Sequence, residues 1–100
     1  MLIVEINTEL FELISCMKQD YCGLHYQNRL NENGEKFYQQ LQTAINNYLP
    51  NSQVINSELV RLIVPIRNNF CGLYYQNRLN ENGKSTYQRI LNIINILNIQ

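Results

Sequence analysis

Residues 22–34 read "CGLHYQNRLNENG", and residues 71–83 read "CGLYYQNRLNENG": twelve of thirteen positions are identical at an offset of 49. The likeness extends beyond the peptide. At the same offset residues 6–50 align with 55–99 without a gap, and 22 of the 45 pairs are identical. The chain reads as a tandem duplication of one unit, and a repeat of this kind dominates every other inference about the fold. Its identity is unevenly spread. Outside the peptide only 10 of 32 aligned pairs match. A duplicate drifting uniformly would spread its differences evenly, so something holds this one stretch constant.

Each unit is punctuated at equivalent places. Asn7/Asn56, Asp20/Asn69 and Asn31/Asn80 stand before segments of helical pattern, and all are residue types that cap helix N-termini. In the first unit, 8–19 sets Leu10, Leu13, Ile14 and Met17 on one stripe. The segment 21–30 is short, and 32–49 places Tyr38, Leu41, Ile45, Tyr48 and Leu49 at helical spacing before Pro50. In the second unit Pro65 predicts a kink or break in helix 57–68. The apolar ends 1–6 and 53–55 are candidates for a short strand pair. The expectation is an all-α fold in one domain, residues 1–100. It consists of a tandem duplication of a three-helix unit (6–50 and 55–99) packed about a pseudo-twofold axis, with further homo-oligomer formation open to it.

Composition narrows the function. Hydrophobic residues make up 45% of the chain, enough for a core, and charged residues only 16%, against a usual ~25%. Asparagine and glutamine fill the difference, as they do in products of AT-rich genomes. Eight basic and eight acidic residues cancel. With no basic run, non-specific nucleic-acid binding through phosphate neutralisation is disfavoured. No stretch approaches the ~18 apolar residues of a membrane span, and "MLIVEINTEL" has no basic region of a signal peptide. Three cysteines, an odd number, then suggest reduced thiols and a cytoplasmic protein.

Two readings account for the repeated peptide. In the architectural one, Cys22, Tyr26, Arg29 and Leu30 share a helix face. Cys22 and Gly23 admit a close helix neighbour, Tyr26 and Leu30 are core, and "NENG" is a helix junction. Arg29 would then answer the helix dipole and pair with Glu32. In the functional one, Tyr26, Gln27, Asn28 and Arg29, with Tyr75, Gln76, Asn77 and Arg78, form a duplicated binding surface. Arginine supplies a planar fork for phosphate or carboxylate, tyrosine a stacking face, and the amides read polar edges. Such a set suits an anionic nucleotide-like ligand or a protein partner.

Other chemistry finds little support. Cys22-x-x-His25 resembles a nucleophile with its base, or two metal ligands, but the second unit has Tyr74 in place of the histidine. Cys16, Cys22 and His25 would make only three ligands. Glu32 and Glu81 stand beside helix starts, where caps and the dipole explain them. No phosphate loop or Ser/His/Asp set appears, so neither an enzyme nor a cofactor is expected.

At "HYQNRLNENGEKFYQQL" and "YYQNRLNENGKSTYQRI" the chain resembles a segment of transglutaminase-like cysteine-protease proteins of low-GC Gram-positive bacteria. There a tyrosine-rich helix, roughly "YYYNQL", is followed by a capped helix with "KxxY". The resemblance implies helix–turn–helix geometry at 25–41 and 74–90 and a bacterial or phage source. It implies no activity, because in that family the segment precedes the catalytic domain and carries no catalytic residue. The functional expectation is a small non-enzymatic binding protein of the inhibitor or ligand-sequestering type, the alternative being a structural or oligomerisation module.

Overall fold

The apolar positions of the first segment do not stop at Asp20. Ile6, Leu10, Leu13, Ile14, Met17, Tyr21 and Leu24 keep helical spacing across it, and the helix continues with them. In the computed structural model, which describes residues 2–99, α1 spans Ile3–Tyr26, α2 Glu32–Asn46, α3 Ser57–Tyr75 and α4 Glu81–Leu97. The fold is all-α, with no strand among the described residues. The expected three-helix unit is corrected to a helix pair: segments 8–19 and 21–30 fuse into α1, their counterparts fuse into α3, and four helices form instead of six. A break at Asp20 or Asn69 would orphan up to four carbonyls and four N–H groups. A capping side chain recovers only ~1 kcal/mol of that loss.

The ends and interruptions also differ from expectation. Residues 3–6 are helical and 53–55 irregular, so no strand pair forms among the described residues; Met1, part of that expectation, lies outside them. Asn7 therefore lies inside α1, not at its cap, and is only 2% exposed. Its side chain donates to the Val54 carbonyl at 2.8 Å and accepts from the Asn56 N–H at 2.8 Å. Asn56 does cap α3, accepting from the Leu59 N–H at 3.0 Å. α2 ends at Asn46, short of Pro50. Beyond it Tyr48 stacks on Phe11 with ring centroids 4.2 Å apart, while Leu49, expected on the apolar stripe, is exposed. α3 runs through Pro65 without a break. The proline costs ~3 kcal/mol in a helix interior, and burial of Leu62, Ile63 and Ile66 around it offsets that cost.

α1 and α3 lie side by side in the same direction. Asn7 meets Val54 and Asn56 at one end, and Met17, Asp20 and Tyr21 share a cavity with Asn69, Phe70 and Leu73 towards the other. α2 folds back along α1, with Tyr21 against Phe37 and His25 against Glu35; α4 folds back along α3, with Phe70 and Tyr74 against Tyr87. α1 also packs on α4 and α3 on α2. Leu10, Ile14, Leu41, Leu59, Ile63, Ile66, Ile90 and Ile93 are the fully buried centre. Because α1 and α3 are parallel, the turns 27–31 and 76–80 emerge at one end of the bundle. The 47–56 connection lies at the other. No helix among the described residues is long and apolar enough to cross a membrane.

Candidate functional site

The repeated peptide is a helix stop joined to a helix start. Gln27 is the C-cap of α1, and Asn28 follows in the left-handed region at φ 58°. The Arg29 N–H bonds the Leu24 carbonyl at 2.9 Å, and the Asn28 N–H bonds the His25 carbonyl at 3.0 Å. These are the two bonds of a Schellman stop, with asparagine, the best non-glycine residue for positive φ, at the left-handed position. The second copy repeats it, with Asn77 at φ 58° and bonds Arg78–Leu73 and Asn77–Tyr74 at 2.9 and 3.0 Å. Asn31 and Asn80 then cap α2 and α4, each accepting at 2.7 Å from Gly34 or Gly83. A Cβ on Gly34 would meet Leu30 Cδ2 at 3.1 Å, and one on Gly83 would meet Leu79 Cδ2 at 3.0 Å. Glycine lets the leucine fold over the new helix start.

Local architecture also accounts for Cys22 and Cys71. A hydrogen bond with the Cys22 sulfur, then burial, push the Tyr38 phenol up to about 12. Cys71 and burial raise Tyr87 in the same way. His25 is engaged elsewhere than Cys22: its Nδ1 meets the Glu35 carboxylate at 2.8 Å. At the matching positions Tyr74 and Lys84 have replaced the histidine and the acid together.

Several identical residues remain without a packing role. Tyr26 and Tyr75, one of them expected in the core, are 82% and 80% exposed. They are the last residues of α1 and α3. Gly23 and Gly72 are exposed, and a Cβ on either would touch nothing within 4 Å, so the expected close helix approach is absent. Arg29 does not pair with Glu32, which meets Lys36. Instead Arg29 donates to the Gln27 side chain at 3.1 Å, as Arg78 does to Gln76 at 3.2 Å.

No family model, curated protein or solved structure matches this chain.

The eight candidate residues thus fall into two groups at one end of the bundle. Asn28 and Asn77 are spent on the turn. Tyr26, Gln27, Arg29 and their copies face solvent. Arg78 additionally lines a cavity of about 540 Å³ between α1, α3 and the start of α4, and Asp20 lines the same cavity.

Two features escaped the sequence reading. Arg89 of α4 crosses to α1, where it donates to both oxygens of Glu9 and, at 3.0 Å, to Glu12. The hydrogen bond to Glu9 raises its pKa further. Between α2 and α3 lies a second groove of about 540 Å³. The signal for both was present: the copies share Glu at 9/58 but differ at 12/61 and 40/89, so that one face carries Glu9, Glu12 and Arg89 and the other Glu58, Arg61 and Gln40.

Proposed function

We propose that this is a non-enzymatic protein-binding module. Its two helix turns act together at one end of the bundle, related by an approximate twofold along the bundle axis. The observation that carries the reading is the exposure of Tyr26 and Tyr75, 82% and 80%, in a peptide repeated nearly without change. Tyrosine and arginine are the residue types that dominate protein interfaces, and here each tyrosine is followed three residues later by an arginine. Gly23 and Gly72, one turn before the tyrosines, leave backbone uncovered for an incoming chain.

A protein partner fits better than a nucleotide-like ligand. Small-molecule sites are concave and enclose most of their ligand, whereas Tyr26, Gln27 and Arg29 stand exposed. In the cavity that Arg78 lines, Asp20 opposes an anion.

The test is a Tyr26→Ala/Tyr75→Ala variant. Its melting temperature should stay near that of the wild type, because exposed substitutions usually stay within ~0.5 kcal/mol. Affinity capture should lose a partner that wild type and a Leu49→Ala control, altered away from the tips, both retain. Retention of that partner by the double variant would refute the reading. A dimer that the double variant converts to monomer would identify the end instead as a self-association surface.

A further inference from the structure

The groove between α2 and α3 is lined by Phe37 and Gln40 on one side and Glu58, Arg61, Leu62 and Pro65 on the other. The offset of 49 places these positions on the α1–α4 face as Thr86, Arg89, Glu9, Glu12, Leu13 and Cys16. On that face Arg89 reaches across to Glu9 and Glu12, while Leu13, Cys16 and Thr86 line a smaller cavity of about 290 Å³ beside it. On the α2–α3 side Gln40 replaces the arginine, yet the counterpart of Glu9 is still an acid, Glu58. Among the described residues neither Glu58 nor Arg61 forms an ion pair.

The backbone adds a second acceptor. Pro65 has no N–H, so the Arg61 carbonyl one turn earlier lacks its α-helical donor, and both residues line the groove. The groove is therefore lined by the carboxylate-bearing Glu58 and by Arg61, whose carbonyl has lost its i+4 donor, together with the apolar Phe37, Leu62 and Pro65.

We propose that this groove receives an arginine side chain from a protein partner, seated on Glu58 as Arg89 is seated on Glu9. A guanidinium carries five donors in a planar fork and no acceptor, so it can serve the carboxylate and the carbonyl at once. Its methylene stem covers the apolar surface. Arg61, standing where Glu12 stands on the other face, moderates the grip by its own charge. The groove lies between α2 and α3, away from the tips, and the proposal stands independently of them.

The probe is N-acetyl-arginine amide, titrated into the intact protein and followed by backbone amide NMR shifts, with N-acetyl-citrulline amide as its neutral isostere. Shifts should centre on 37–43 and 58–65. The arginine compound should bind about tenfold or more tighter than citrulline, the worth of one charge-assisted contact. Glu58→Gln should erase that difference. Arg61→Glu, which rebuilds the second carboxylate, should tighten the probe several-fold (roughly one surface ion pair). Gln40→Arg should fill the groove from within, raise the melting temperature and abolish the shifts. The dispersed spectrum of each variant checks its fold. Equal binding of citrulline, shifts mapping elsewhere, or undiminished binding in Gln40→Arg would overturn the proposal. A dimer that Gln40→Arg dissolves would overturn the foreign partner by naming a second copy as the arginine's source.

Discussion

Asn7 and Asn56 are aligned copies of one residue, and substituting each by alanine should have unequal effects. Asn56 caps α3 through one hydrogen bond, to the Leu59 N–H. Losing such a cap costs ~1 kcal/mol. Asn7 is 2% exposed and makes two bonds, one in each direction, to the chain entering α3. At a net ~0.5–1.5 kcal/mol per bond, with a half-buried donor and acceptor left open, Asn7→Ala should cost about 2–3 kcal/mol. For a domain of this size 1 kcal/mol corresponds to roughly 4–8 °C. Asn56→Ala should then lower the melting temperature by about 4–8 °C, and Asn7→Ala by about 10–20 °C. Chemical and thermal denaturation of the two single variants decides the matter. Asn7→Leu is a third arm: it restores volume but no hydrogen bond, so it should recover little. If Asn7→Ala costs no more than Asn56→Ala, the side chain is not the clasp between the halves, and the two asparagines are equivalent caps after all.

Two further outcomes follow from the same geometry. Gly23→Ala and Gly72→Ala should each stabilise by ~0.5–1 kcal/mol, since a helix is relieved of glycine where the added Cβ meets nothing; a loss in denaturation midpoint would show an unrecognised contact there. The phenol of Tyr38 keeps its proton to about 12 in the folded state, whereas an unfolded tyrosine loses it near ~10. Its contribution to stability should therefore be complete below pH ~10 and disappear as pH rises towards about 12. Tyrosinate absorbance should show a late-ionising group that Tyr38→Phe removes; an unchanged alkaline limb would refute the Cys22–Tyr38 pairing.

Features set by residues close together in the chain were legible in the sequence. Asn31 and Asn80 cap helices, and Leu10, Leu13, Ile14 and Met17 form a buried stripe, because three or four residues determine each. Asp20 misled because its capping chemistry is real but weak against an uninterrupted ladder of backbone bonds. Of the kink or break expected at Pro65, the break does not occur, since the cost of one lost bond is local and burial of Leu62, Ile63 and Ile66 is not. Tyr26 sits on the apolar face of its helix by spacing alone, and nothing in the spacing says that α1 ends at this residue and leaves it exposed. The Glu9–Arg89 clamp joins residues 80 apart, and only the coordinated change at 12/61 and 40/89 hints at it.

Those coordinated differences separate two kinds of identity within the repeat. Where side chains touch, the copies have changed together: His25 and Glu35 against Tyr74 and Lys84, or Glu12 and Arg89 against Arg61 and Gln40. Asn28, Leu30, Asn31 and Gly34 have stayed the same because the turn they build admits few alternatives. Gly23, Tyr26, Gln27 and Arg29 belong to neither class. They are exposed, the glycine leaves space unused, and Gln27 and Arg29 bond only each other among the side chains described. The two glycines together forgo ~1–2 kcal/mol of helix stability, in a domain whose total is of order 5–15 kcal/mol. A surface that gives up so much, twice and in the same way, is what the proposed contact with a protein partner would account for. Substituting the glycines tests that proposal directly: Gly23→Ala/Gly72→Ala should gain stability while losing the partner proposed for the tyrosines.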